Sequence, residues 1–426
     1  MSQNEFDPAR RRMLMRLGLA AGAVYSAPVL MSLGTARASS VSFSAPVRRA
    51  RPVQRAAPPP PPRPEIVVSA PDAAAIDAIS AEGYELLSRA SIAATASELA
   101  RFVVPANLTI DGARAQINGL VPAAIFDINA IYRPEEMPCG DDSCAAFDLI
   151  GWKSAAHGCP ADTVIGMIDT TVNGDHAALA DVPVETFPVI AEGRQPGGAV
   201  HGTAVAILMA GRADTRTPGL LSGARIVAAE AFHKDLSGND AADTFDVVRA
   251  LDEMVTRDIS VVNLSFTGPD NAVLKTIVDA ALAKDMILVA AAGNAGPNAD
   301  PLFPAAYEGV VAVTAVDSQS RVYRRANAGD HVDFSAPGVQ LWTAASVSGG
   351  RYRSGTSYAA PFVSAALAAA RASSPDMKSG ELIDALAQGV VDLGEPGRDA
   401  TFGWGLVQAP AICNAEGAAR LIPAGG

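Results

Sequence analysis

From residue 160 onward, uninterrupted apolar runs alternate with amphipathic stretches. The runs are Val164–Ile168, closed by Asp169; Arg225–Ala229; Ile259–Asn263; Met286–Ala292, just ahead of Asn294; and Val310–Val316. A strand covered on both faces reads as a continuous apolar run, not as an alternation. These runs therefore predict parallel strands of one sheet. Between them, Phe245, Val248, Leu251 and Val255, and then Val273, Ile277, Ala280 and Ala281, recur at helical spacing. The pattern predicts an α/β domain over residues 161–426, a doubly wound and mostly parallel sheet. Functional groups in such a sheet gather beyond the carboxyl ends of its strands. Asp169 and Asn294 both fall there.

Upstream the pattern differs. Residues 66–135 carry short strand-like runs at Ile66–Val68, Arg101–Val104 and Ala124–Ile128, and helical spacing over Ile110–Leu120. This predicts a small α+β module with no polar cluster fit for chemistry. Residues 39–65 form a Pro/Arg-rich linker containing Pro58–Pro62, an extended spacer that cannot join a core. Residues 1–38 have the form of an export signal. Arg10-Arg11-Arg12-Met13-Leu14-Met15-Arg16 is twin-arginine-like, Leu17–Ala36 is uncharged and mostly apolar, and Ala36-Arg37-Ala38 offers small residues for cleavage. The expected location is periplasmic or extracellular. An uncleaved anchor in the inner membrane competes, but Gly, Ser and Pro in the apolar stretch favour cleavage.

Charge and cysteine content narrow the picture. The first 64 residues hold ten arginines against two acids, so the chain's net charge of −12 leaves about −20 on the rest. An acidic globular part argues against a nucleic-acid surface. The four cysteines are Cys139, Cys144 and Cys159, within the 136–160 connector, and Cys413. Without CxxC pairing a structural zinc site is not indicated. In an exported chain the even count favours two disulfides, with the pairing open.

The candidate chemistry centres on Ser357. Ser354-Gly355-Thr356-Ser357-Tyr358-Ala359-Ala360-Pro361 leads into an apolar run reaching Ala370, which reads as a buried helix with Pro361 in its first turn. A serine there is more commonly a plain helix cap. Its companions change that reading. Asp169 follows a buried strand, and His201 opens His201-Gly202-Thr203-Ala204-Val205-Ala206. A serine hydroxyl needs a base to take its proton. Histidine titrates near neutrality and can return that proton to a leaving group. A buried carboxylate fixes the tautomer, and the Asn294 amide would stabilise an oxyanion.

Ile168-Asp169-Thr170, His201-Gly202-Thr203, Ala292-Gly293-Asn294 and Gly355-Thr356-Ser357-Tyr358-Ala359-Ala360-Pro361 resemble the motifs of the subtilisin-like serine peptidases, in that family's order. The spacings fit too: 32 residues from Asp169 to His201 and 156 from there to Ser357. The likeness runs over roughly residues 160–410. It implies an Asp169-His201-Ser357 triad, an oxyanion hole of Asn294 and the Ser357 N–H, and a peptide groove lined by Ser265, Phe266, Thr267, Ala291, Ala292 and Gly293. It implies no cofactor for the chemistry. Calcium is common in the family, but no ligand set or metal site is identifiable here. Asp235, Asn239, Asp240 and Asp243 lack a calcium-loop pattern and read as a solvated helix start. The 66–135 module is similar in length and position to the family's propeptides, an intramolecular chaperone or inhibitor. Self-processing is expected between Tyr132 and Asp162.

Thr171, Ala204 and Tyr358 depart from the family's usual residues without removing a catalytic group, and Leu302 at the base of the S1 pocket favours small P1 residues. Expected partners are peptide or protein substrates, with membrane contact only through an uncleaved N-terminus. Two other functions stay open: a non-catalytic peptide-binding scaffold on this fold, and acyl transfer to an amine by the same site. Serine-directed labelling separates the first, and product analysis with an added amine the second.

Overall fold

The computed structural model describes residues 63–134, 137–138, 146–151, 163–345 and 349–408. The export signal, all but the end of the linker, His157 and the four cysteines lie outside the described residues.

The chain first builds an antiparallel sheet in the order β2-β3-β1-β4 from β1 (Glu65–Ala70), β2 (Glu85–Ile92), β3 (Ser97–Val103) and β4 (Ile125–Ile128). Helices α1 (Ala73–Ala81) and α2 (Ile110–Leu120) cover one face, where Ile66, Val68, Ile79, Phe102, Ile117 and Phe126 form a core. Asp72 and Thr109 cap these helices by accepting the Ala75 and Gly112 N–H groups. Alternate strand residues face the other way, and Val67 and Leu99 join a core of the larger domain. The edge strand β2 and helix α1 have no counterpart in the predicted elements.

Next come β5 (Ile131–Pro134) and β6 (Met137–Pro138), and then the large sheet. Its strands are β7 (Val164–Asp169), β8 (Val184–Pro188), β9 (Arg225–Glu230), β12 (Val261–Leu264), β14 (Ile287–Ala291), β15 (Val311–Val316) and β16 (Val332–Pro337). They lie in the order β16-β15-β14-β12-β7-β9-β8, all parallel. Helices α3 (His201–Ala210) and α6 (Thr356–Ser373) pack on one face and α4 (Thr244–Thr256) and α5 (Ala272–Ala283) on the other. The fold is therefore the doubly wound, mostly parallel α/β sheet that the apolar runs predict. Every residue of α3 is buried, which suits a helix that is apolar all round.

Two small sheets bring in the short strands. β5 lies between β11 (Asp240–Asp243) and β13 (Phe266–Thr267), with β10 (His233–Lys234) beyond β11. β6 extends the hairpin of β17 (Leu341–Ala344) and β18 (Gly350–Ser354). The N-terminal module docks on the helices α4 and α5. Asn129 Oδ1 accepts the Phe245 N–H at 3.3 Å and Asp127 Oδ2 the Ala272 N–H at 3.0 Å, so acceptors meet orphan helix donors. At the other end of α4, Asp252 accepts the N–H groups of Ala93 and Ala94.

Two expectations are corrected. Asp240–Asp243 is not a solvated helix start but strand β11, whose last residue, Asp243, is buried and caps α4 by accepting the Asp246 N–H. Pro361 does not sit in the first turn of α6; it is the sixth helical residue. Its missing N–H leaves the carbonyl four residues back, that of Ser357, without its helical donor. The Ser265 hydroxyl supplies the replacement at 2.8 Å.

Candidate active site

Parallel register puts the chemistry at one edge. Ile168 of β7 pairs with Leu264 of β12, and Leu264 with Ala290 of β14. Asp169, Ser265 and Asn294 therefore leave the sheet at neighbouring carboxyl ends, where α3 and α6 begin. Asp169 Oδ1 accepts the Thr170 N–H at 2.7 Å and lies 2.7 Å from His201 Nδ1, with both side chains buried. Thr170 also holds the start of α3, its hydroxyl accepting the Gly202 N–H at 2.8 Å. Only glycine fits at 202, because a Cβ there would stand 2.4 Å from the Thr170 carbonyl oxygen.

Ser357 is the second residue of α6, and its Oγ lies 2.9 Å from the Ser265 carbonyl oxygen. The ring of Tyr358, the residue after Ser357, is centred 5.4 Å from the His201 ring. Ser265 works on both sides of this position. Its hydroxyl receives a hydrogen bond from Asn263 Nδ2 and gives one to the Ser357 carbonyl.

Asn294 is oriented by Thr356. Its Oδ1 accepts the Thr356 N–H at 3.2 Å and the Thr356 hydroxyl at 3.3 Å. A backbone N–H can only donate, so the amide's oxygen end is assigned and its nitrogen end points away. Asn294 Nδ2 is buried and has no hydrogen-bond partner among the described residues.

The two expected groove segments behave differently. Phe266 and Thr267 form β13, already paired antiparallel with Pro134 and Arg133 of β5. In the other segment, the Ala292 and Gly293 N–H groups go to the Val313 carbonyl and the Thr356 hydroxyl, and the Gly293 carbonyl accepts the Asn327 N–H. Ala291 is the last residue of β14. Leu302 packs against Gly293, its Cδ1 2.7 Å from where a Cβ at 293 would stand.

Sequence reading misses the hold of Thr356 on Asn294, the Ser265 bridge and the pairing of β11 with β5. Thr356 has a signal in hindsight, since it abuts Ser357. The others are long-range contacts with none. His176 is a structural residue, its Nδ1 accepting the Ala178 N–H and its Nε2 3.0 Å from the Gly349 carbonyl. Among the described residues no three His, Cys, Asp or Glu side chains form a group able to hold a metal.

A parallel sheet carrying Asp, His, Asn and Ser in this order at its carboxyl edge defines the subtilisin-like serine peptidases, hydrolases that act on peptide bonds. The Subtilase family profile matches residues 161–405, and the chain belongs to that family. It is 33% identical over 210 residues to the minor extracellular protease Epr of Bacillus subtilis strain 168, covering 49% of this chain but 32% of that one. With subtilisin DY of Bacillus licheniformis it shares 30% identity over 255 residues, 59% of this chain and 90% of the relative. In fold it resembles fervidolysin from Fervidobacterium pennivorans, described as a keratinolytic enzyme related to subtilisin. The TM-score is 0.70 at 20% identity, over 82% of this chain and 60% of that one. The chain thus spans about a third of Epr and three-fifths of fervidolysin.

Proposed function

We propose that this protein is an exported serine endopeptidase made as a precursor. Ser357 attacks the substrate carbonyl while His201 takes its proton and later gives it to the departing amine. Asp169 holds the imidazole in the tautomer that makes this possible. Asn294 Nδ2 and the Ser357 N–H receive the oxyanion. The peptide lies along Ser265-Phe266-Thr267 as an added strand, with Ala291-Ala292-Gly293 behind it. The 66–135 module acts as chaperone and inhibitor until the chain cuts itself between Tyr132 and Asp162.

One observation carries the reading. The Asp169–His201 contact of 2.7 Å is matched by a buried Asn294 Nδ2 with no partner among the described residues, the other end of that amide being pinned by the residue before Ser357. A positioned base and an aimed donor are the parts acyl transfer requires. In support of export, one relative is by name extracellular. A fluorophosphonate probe tests the chemistry. It should modify Ser357 in the wild type and leave Ser357→Ala unmodified. A folded wild-type chain that stays unmodified would return the site to a peptide-binding scaffold.

A further inference from the structure

Two polar residues stand inside the apolar layer between the sheet and α6, and the proposed reaction uses neither. Asn263 interrupts the apolar strand β12, and Ser364 is the one serine or threonine in the run Tyr358–Ala370. Both are fully buried. Along β12, Val261 packs on the α6 side and Val262 and Leu264 on the other, so alternation turns Asn263 toward α6. Ser364 follows Ser357 by seven residues, about two helical turns, and so shares its face. A buried amide or hydroxyl is costly unless it is hydrogen-bonded. These two bond to one another and, through Ser265, to the backbone of Ser357.

Ser364 Oγ lies 2.9 Å from Asn263 Oδ1, Asn263 Nδ2 lies 2.8 Å from Ser265 Oγ, and Ser265 Oγ lies 2.8 Å from the Ser357 carbonyl oxygen. The direction of these bonds is forced from the Ser357 end. A carbonyl can only accept, so the Ser265 hydroxyl donates to it. That uses the one proton of Ser265, whose oxygen then receives the Asn263 N–H. The amide oxygen is left facing Ser364, which must donate. Ser364 has a second acceptor within reach, the Ala360 carbonyl at 3.1 Å, which helical geometry already supplies with the Ser364 N–H. With the Ser364 proton on that carbonyl, the Asn263 oxygen would meet only a lone pair. The amide would turn over and draw the Ser265 proton to itself. The Ser357 carbonyl, which Pro361 deprives of a helical N–H, would then lose its replacement donor. One hydroxyl two turns into α6 thus sets how the Ser357 backbone is held. That backbone carries the Oγ that sits 2.9 Å from the Ser265 carbonyl oxygen.

We propose that Ser364 and Asn263 are positioning residues for the reaction, fixing the order of hydrogen bonds by which Ser265 holds Ser357 in place. The proposal rests on the peptidase reading above and deepens it. Neither residue touches substrate in this role. Their effect on rate comes only through the placement of Ser357, where a displacement of ~1 Å costs on the order of 10² in rate.

The rate of fluorophosphonate labelling of the purified full chain reads the nucleophile directly. Ser364→Ala should label about tenfold more slowly than wild type, the worth of one neutral hydrogen bond. On fluorescein-labelled casein the same loss should fall on kcat and leave KM unchanged. Ser364→Thr, which keeps the hydroxyl, should restore the wild-type rate. Ser364→Cys, close in size to serine but a weak donor, should label at an intermediate rate, and it supplies the result where alanine prevents folding. In a Pro361→Ala background the N–H returns at position 361 and the bond order ceases to matter. Ser364→Ala should there label as fast as Pro361→Ala alone. A folded Ser364→Ala or Ser364→Cys chain that labels as fast as wild type overturns the proposal. So does an equal loss with and without Pro361, which would make Ser364 a residue of the helix core only. Both results leave the peptidase reading standing. A wild type that neither labels nor digests casein removes the peptidase reading and the proposal with it.

Discussion

In the proposed reaction the Asn294 side chain is a donor held ready for charge that has yet to form. Its oxygen is occupied by two Thr356 donors, and its nitrogen is buried without a partner among the described residues. An unpaired buried amide costs stability, by about 1–3 kcal/mol in general, so its survival points to use during the reaction. Replacing Asn294 by Ala should lower kcat by about 10²–10³ and leave KM nearly unchanged, because the interaction forms only in the transition state. Steady-state kinetics on a peptide substrate decides this. A KM effect with kcat intact would assign Asn294 to ground-state binding instead.

At the scale of elements, α6 begins irregularly and the irregularity is compensated. Pro361 deprives the Ser357 carbonyl of its helical partner, and Ser265 restores one from the end of β12. This ties the Ser357 backbone to the strand end that also receives its hydroxyl. Ser265→Ala should cost stability by about 1–3 kcal/mol, since it removes the hydroxyl that donates to the Ser357 carbonyl and accepts from Asn263 Nδ2. In a Pro361→Ala background the cost should shrink, because an N–H returns at position 361 and the carbonyl regains a helical bond. Urea denaturation of these variants, all made in Ser357→Ala to prevent self-digestion, measures the difference. Equal losses in both backgrounds would show that Pro361 and Ser265 are not coupled.

At the scale of the whole molecule, a buried charge cluster joins the N-terminal module to the larger domain. Arg101 of β3 and Arg194 both pair with Asp243, and Arg194 lies 3.5 Å from Asp246. His233 touches Arg194, and burial holds its pKa below the usual value. Burial, and then the neighbouring Asp243, pushes the Asp246 pKa up to about 7, against the pull of Arg194, Arg101 and Arg249. A carboxyl raised this way binds its proton more tightly in the folded state than in the unfolded one. Its contribution to stability is therefore greatest near pH 4 and falls as pH rises to about 7. Asp246→Asn, which mimics the protonated form, should gain in Tm relative to wild type as pH goes from 4 to 7, again in Ser357→Ala. A difference that stays constant across that range would mean Asp246 does not titrate there.

The amino-acid pattern by itself determined the centre of the sheet and left its margins open. The five apolar runs correspond to β7, β9, β12, β14 and β15, which lie inside the sheet and are covered on both faces. The strands it did not mark, β8 and β16, are the two edges, where partly exposed positions such as Glu185 and Asp333 break the apolar run. The expected site residues Asp169, His201, Asn294 and Ser357 could be picked out because each lies at the border of an element whose own pattern is strong: Asp169 ends β7, His201 opens α3, Asn294 stands three residues past β14 and Ser357 is second in α6. Tertiary structure alone decided what surrounds them: the Thr356 clasp on Asn294, the Ser265 bridge to Ser357, and the pairing of β5 with β13 and of β6 with β18. Those depend on residues brought together from across the chain, and a hydrogen bond or a strand register between distant segments leaves no periodic trace in either one.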